Sequence, residues 1–275
     1  SKVTKYDNPN RTLTDPYEGQ QLGEIWGYVV DGYFKTDEEA RNYKVDQSFV
    51  NQMINASALD NGLHAGDLKF VDLDGNNKIE QTTSANDRKD MKVIGNSLPR
   101  YNYNFGISAD WYGIDFSVLF QGIGKQNWYP GAETSMFWGP YSRPYASFIP
   151  SDFMSQVWSE ENTNAYFPRP RGYVALGSNR ELAVVNTKYL QNLAYCRLKN
   201  LSIGYTLPDK WLSKIGFEKI RVYFSGENLL TFTKLHSDYI DPEQASASNS
   251  WKTSKSDANI YPWAKTYSFG VDITF

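Results

Sequence analysis

The 275-residue chain carries 28 Lys and Arg against 31 Asp and Glu, a formal net charge of -3, so there is no electrostatic case for a nucleic-acid partner. A mean hydropathy of -0.57, with no apolar run near the ~18 residues a membrane helix needs, excludes a transmembrane helix. The single cysteine, Cys196, excludes an intrachain disulfide, and with only His64 and His236 to partner it, it reads as a packed thiol rather than a nucleophile. Ser1-Lys2-Val3-Thr4 lacks the charged-then-apolar layout of a signal peptide, so either the protein is cytosolic or the sequence begins after a removed or missing part.

In chain order, residues 24–30 form a weak strand candidate around Ile25, Trp26 and Tyr28. Thr36 followed by Asp37, Glu38 and Glu39 predicts a helix start, its carboxylates favourable near the positive end of the dipole, running toward Met53. Tyr101, Tyr103, Phe105, Ile107, Ala109 and Trp111 then alternate with Asn102, Asn104, Gly106, Ser108 and Asp110. That is the period of a strand between two unlike environments. After Tyr112-Gly113 the pattern resumes with Ile114, Phe116, Val118 and Phe120 against Asp115, Ser117 and Gln121. Ser151, after Pro150, predicts a cap for a second short helix through Met154, Val157 and Trp158. Leu201, Ile203, Tyr205 and Leu207 give the next strand, and Ile220, Val222 and Phe224 the one after, opposite Arg221, Tyr223 and Ser225. The last strand sets Tyr267, Phe269, Val271, Ile273 and Phe275 against Ser268, Gly270, Asp272 and Thr274.

These runs approach the ~10 residues a tilted strand needs to cross a bilayer. A soluble β-sandwich also alternates, so the connections must discriminate. The links at Tyr112-Gly113 and 208–216 are short, whereas 31–99, 123–189 and 231–264 are long. A membrane barrel alternates short periplasmic turns with long external loops in this way; a sandwich has no reason to. By that parity the C-terminus is periplasmic. The fold expected is therefore all-β, an antiparallel transmembrane segment of about six strands with long extracellular loops carrying short helices. So few strands cannot enclose a large lumen, and an open sheet leaves unpaired edges. More chain before Ser1, or another polypeptide, must complete it.

Several stretches resemble the closing region of SusC/RagA-type TonB-dependent outer-membrane receptors. They are 189–208 (Tyr-Leu-Gln-Asn-Leu through Gly-Tyr-Thr-Leu-Pro), 219–230 (Lys-Ile-Arg-Val-Tyr-Phe-Ser-Gly-Glu-Asn-Leu-Leu), 158–169, and 261–275 with its terminal Phe275. Cys196 stands where such proteins more often have an aliphatic residue. The resemblance implies a barrel of about 22 strands around a plug, of which residues 1–275 are the C-terminal part, with plug and N-terminal strands absent. It also implies localisation to the outer membrane of a Bacteroidota-type bacterium, amid outer-membrane lipids. The implied function is active import of oligosaccharides or peptides driven by TonB through the absent plug, not an enzyme activity. A SusD-like surface lipoprotein would cap the mouth, in a dimer of transporter–lid pairs.

Residues 67–80 place oxygen ligands at alternate positions: Asp72, Asp74 and Asn76, with the Lys78 carbonyl next, as in an EF-hand loop for a hard cation. Asn77 stands where glycine usually makes the turn, a mild defect because Asn adopts the left-handed conformation. Thr83 stands at the twelfth position where an acid is usual; the resemblance favours Asp87, of an Asp-Arg pair, as the closing ligand. Structural Ca2+ or Mg2+ is one reading, and a solvated Asx-turn loop without an ion is the other.

Two rival functions remain open from the sequence. A β-rich glycoside hydrolase would need two carboxylates about 5–10 Å apart, and Glu133, Asp152, Glu160 and Glu161 are available without spacing that nominates a pair. A soluble calcium-stabilised carbohydrate-binding module would use the same loop and aromatics. Trp26, Trp111, Tyr112, Tyr205 and Trp211 instead suit a membrane-interface girdle. Trp128, Tyr129, Trp138 and Tyr141 are candidates for contact with substrate or lid, since aromatics anchor interfaces and stack on sugars; the alternative is packing within their own loop. His64 and His236 fall in no ligand cluster and read as solvated loop residues.

Overall fold

The alternation read from the sequence is realised as a single antiparallel sheet surrounded by long, aromatic-rich loops. The computed structural model of the chain describes residues 1–51, 62–142, 149–170, 173–177, 180–212, 216–248, 255–256 and 261–275. The first third supplies β1 (Glu24–Tyr28), β2 (Val30–Tyr33), helix α1 (Asp37–Arg41), β3 (Leu68–Phe70) and β4 (Met91–Asn96). β1 pairs with β4 and β2 with β3, in two separate two-stranded sheets. The 24–30 candidate is thus extended but is no sixth strand of the large sheet, because β4 takes its backbone bonds. Helix α1 starts where expected, Thr36 accepting from the Glu39 N–H at 3.1 Å, but ends at Arg41; Met53 lies outside the described residues.

The large sheet comprises β5 (Arg100–Trp111), β6 (Ile114–Lys125), β9 (Tyr195–Thr206), β10 (Lys219–Thr233) and β12 (Thr266–Thr274), in the order β12-β10-β9-β6-β5. Between β6 and β9 come β7 (Asn127–Pro130), α2 (Ser135–Trp138), three 3-10 turns and β8 (Gln191–Asn192). Helix α3 (Asp209–Leu212) follows β9, and α4 (Pro242–Ser248) and β11 (Lys255–Ser256) lie between β10 and β12. The turn joining β5 to β6 has φ of 46° at Tyr112 and 84° at Gly113. Two successive positive φ values match the right-handed twist of a two-residue hairpin, and a Cβ at 113 would meet the Thr206 carbonyl at 2.8 Å. The expected second helix is a 3-10 turn, Phe153–Gln156, preceded by Asp152 rather than capped by Ser151.

Register converts the period-two pattern into continuous belts. Ala109, Phe116, Ile203, Phe224 and Phe269 are successive partners across all five strands; so are Trp111, Ile114, Tyr205, Val222 and Val271. Trp111 is 69% exposed and Phe269 82% exposed, so this apolar face is uncovered. On the other face Ser108, Ser117, Ser202, Ser225 and Ser268 form a serine row through the same strands. The hydrophobic core lies in the loops instead: Trp128, Phe137, Trp138, Phe153, Phe167 and Tyr189 pack with residues of β2, β3 and the 235–245 segment. Among the described residues no helix is long and apolar enough to cross a membrane, which says nothing of crossing by strands.

Candidate functional site

The polar face of the sheet holds two charge clusters. Toward the hairpin end, Arg221 of β10 grips Asp115 of β6 in a two-pronged pair, Nη2–Oδ1 2.6 Å and Nε–Oδ2 2.8 Å, and reaches Asp272 of β12 at 3.2 Å. Asp115 and Arg221 are separated by β9, and they meet only because residue 204 between them is glycine: a Cβ there would lie 2.6 Å from Arg221 Nε. Planar fork-to-carboxylate geometry makes this the strong form of ion pair.

At the loop end, Arg197 of β9 is 2% exposed and each of its three guanidinium nitrogens is bonded, to Asp241 (2.7 Å), Glu243 (2.7 Å) and Thr231 Oγ1 (2.9 Å). Lys199 joins through Glu243 at 2.8 Å and stands over the Trp263 ring. Asp241 also accepts from the N–H of Glu243, so it serves as N-cap of α4, with Pro242 pre-set as first helical residue. One carboxylate therefore starts the helix and docks it on the strand. Asp-Pro before the run 242–248 was the available sequence signal for that cap; the pairing with Arg197 required the fold.

The Asp72 loop closes differently from expectation. Asn77 is left-handed (φ 63°) beside Gly75 (φ 78°), as its sequence requires. Asp72 accepts from the N–H groups of Gly75 and Asn77, both at 2.7 Å. Desolvation is the largest single influence and works against the ionised form, but the backbone bonds together outweigh it and hold the carboxyl below its ordinary value. Asp90, and not Asp87, completes the ring: its two oxygens accept from Leu73 N (2.8 Å) and Glu80 N (2.7 Å), clamping both ends of the loop. Ligand atoms of Asp72, Asp74 and Asp90 lie within 4.8 Å of one another. Burial foremost, with Asp74 and Asp72 nearby, pushes Asp90 up. Asp87 faces Lys89 at 3.8 Å, Asn76 spends its Oδ1 on the Lys78 N–H at 2.8 Å, and Lys78 extends toward Glu80 at 3.8 Å.

Trp128, Tyr129, Trp138 and Tyr141 are brought together, but inward. Trp128, Tyr129 and Trp138 are 0% exposed and Tyr141 2%. The Tyr129 hydroxyl donates to the Leu182 carbonyl (2.8 Å), that of Tyr141 to Pro168 (2.7 Å), and the Trp138 indole to Gly131 (2.9 Å). Polar tips satisfied by loop carbonyls and rings packed on one another leave no face for a ligand, so their packing reading replaces the contact one. Glu133, Asp152, Glu160 and Glu161 are all exposed, so none of these four is a desolvated acid of the kind glycoside hydrolysis uses. His236 stacks on Tyr166 at 3.5 Å and meets Gln156 at 2.8 Å; His64 Nδ1 is 3.7 Å from Asp37. An open cleft of 1240 Å3 lies nearby, lined by Lys35, Asp37, Trp158, Glu160, Glu161 and Arg169, with the Trp158 indole N–H buried and unbonded.

No family model matches the chain. It is 29% identical over 264 residues, 94% of its length, to TonB-dependent receptor P3 of Formosa agariphila, of which it covers 22%. To TonB-dependent receptor P39 of the same organism it is 26% identical, again over 94% of the chain, covering 25% of that protein. Among solved structures, the RagAB peptide transporter superposes with a TM-score of 0.57 at 18% identity, over 99% of this chain and 24% of that one. The open-open state of the RagAB peptide importer gives 0.54 at 19% identity, over 98% and 24%. The chain thus spans about a quarter or less of the length of the proteins it matches. The resemblance to SusC/RagA-type TonB-dependent receptors read from its motifs extends over nearly all of it.

Proposed function

We propose that the chain is the C-terminal barrel section of a TonB-dependent outer-membrane transporter. It would import oligosaccharides or peptides, the latter being what the RagAB neighbours are described as carrying. The observation that carries this reading is the uncovered apolar belt running in register across five strands whose other face is polar. In water such a face is a large liability; in a bilayer it is what the solvent requires. A soluble carbohydrate-binding module would not expose it, and is not favoured.

In this reading the hairpin turn at Tyr112-Gly113 and the Phe275 end are periplasmic and the long connections extracellular. The unpaired edges of β5 and β12 receive the remaining barrel strands, around a plug that engages TonB. Docking of a SusD-like lipoprotein falls to the loop shell, and we assign that contact, or contact with substrate, to the open cleft around Trp158 rather than to the buried aromatics. A structural Ca2+ or Mg2+ would be held by Asp72, Asp74 and Asp90, whose clustered hard oxygens fit such a cation; the ion would offset two of their three negative charges and fix the loop. Thermal unfolding of the membrane-extracted protein with Ca2+ and with chelator tests this: equal transitions would refute the ion.

The test of the main reading is intact mass and denaturing electrophoresis of what co-purifies with the chain in detergent. A surrounding sequence or partner several times its size, together with a lipoprotein, is the expected result. A 275-residue monomer that stays soluble when membranes are sedimented overturns it.

A further inference from the structure

Beside the β1–β4 pair lies a cavity of 450 Å3, lined by Arg11, Tyr17, Glu24, Trp26, Arg88 and Lys92 among others. None of Arg11, Arg88 and Lys92 makes an ion pair among the described residues, and Arg11 Nε is buried with no hydrogen-bond partner, while the Trp26 indole N–H faces the Tyr17 hydroxyl. A buried guanidinium donor without an acceptor is costly and uncommon, so it calls for an acceptor that enters the cavity. The one carboxylate on the walls is already engaged: Glu24 accepts from the Tyr17 hydroxyl at 2.6 Å and from the Gln21 N–H at 2.8 Å. Burial, and then Glu24 itself, push the Tyr17 hydroxyl up to about 12, so it remains the donor in that bond. Three cations against one occupied carboxylate leave a surplus of two positive charges.

The backbone carries a second, independent sign. Arg11 has φ of 48°, a left-handed conformation that a long L side chain adopts only under constraint. It is held there by a turn in which Arg11 N–H donates to Asn8 O at 3.0 Å, Asn8 Oδ1 accepts from Thr12 N at 3.0 Å, and Ala85 N–H donates to Arg11 O at 2.9 Å. Glycine or asparagine would sit there more easily. What arginine adds is a guanidinium laid over the Tyr17 ring at 4.8 Å.

We propose that Arg11, Arg88 and Lys92 form a binding site for a compact dianionic oxyanion of the phosphate class. Two guanidinium forks and an ammonium match the oxygens and the charge of such a group. The site does not depend on the transport reading; it stands or falls on the cavity alone.

Thermal unfolding of the protein extracted in mild detergent, at constant ionic strength, is followed against inorganic phosphate, glycerol 1-phosphate and acetate. Saturable stabilisation by phosphate is expected, with acetate weaker by at least about tenfold because it carries half the charge. Tighter binding of glycerol phosphate than of phosphate assigns the site to an ester, and the reverse to the free ion; both support it. Arg88→Gln, at an exposed side chain, is expected to weaken phosphate at least about tenfold without moving the transition in its absence. Arg11→Asn is expected to abolish the phosphate effect while keeping the fold, since Asn suits the left-handed backbone. No saturable phosphate effect, acetate equal to phosphate, or an Arg88→Gln variant that binds as the parent does would each overturn the proposal.

Discussion

The sheet and the loop shell use the same aromatic residues in opposite ways. In the sheet, Trp111, Phe269 and Phe105 stand outward and exposed; in the shell, Trp128, Trp138 and Phe167 are sealed from solvent. The sheet invests its hydrogen bonds in straight ladders and leaves side chains to face whatever lies outside. The shell has little regular structure, so ring-on-ring contacts hold it, such as Phe137 against Trp138 at 4.8 Å and Phe153 against Phe167 at 4.9 Å. Aromatic content alone therefore says nothing about which surface a residue serves. Its period and neighbours decide.

Four changes would break or sharpen that contrast. The largest effect is expected from Trp138→Ala, which removes a fully buried ring bonded at its indole; a loss of about 3–5 kcal/mol is expected in denaturant unfolding followed by near-ultraviolet circular dichroism. A change below about 1 kcal/mol would mean that the shell is not a cooperative core. Next comes Arg197→Ala, which strands Asp241 and Glu243 and should cost about 3 kcal/mol and expose the 234–265 connection to protease. Replacing the pair by Arg197→Met with Asp241→Leu should recover part of the stability, although the cap of α4 is lost.

Ile203→Arg, in the middle of the apolar belt, separates the two environments directly. In a bilayer it should cost about 2–4 kcal/mol, read as impaired assembly or a lowered transition in lipid. A cost under about 0.5 kcal/mol would place that face in water. The smallest effect is the pH response of the Asp72 loop. Asp72 is held below its ordinary 3.8, so its contribution is present above that value and lost as pH falls through the lowered one. Asp90 is raised, so it opposes: its protonated form is favoured, and its cost appears as pH rises through its folded value. Acidification should first ease the loop and then, below 3.8, loosen it, which amide exchange at Gly75 and Asn77 would follow. A monotonic response would contradict the opposing signs.

What the sequence determined by itself is whatever depends on near neighbours. Period-two alternation at 101–111, 114–121, 201–207, 220–225 and 267–275 identified the sheet strands and their faces, because a strand sends successive side chains to opposite sides. Tyr112-Gly113 announced its hairpin, Thr36-Asp37-Glu38-Glu39 its helix start and Asn77 its left-handed turn, each a local backbone requirement. Only the tertiary structure decided matters that need residues distant in sequence. It took β1 out of the large sheet by pairing it with β4, and it turned Trp128, Tyr129, Trp138 and Tyr141 inward, since a loop without ladders must bury rings to hold together. It closed the Asp72 ring with Asp90, which reaches both ends of the loop while Asp87 faces Lys89. It joined Arg197 to Asp241 and Arg221 to Asp115, pairs separated by 44 and 106 residues. Strand register and the glycine at 204, not spacing along the chain, bring the second pair within reach.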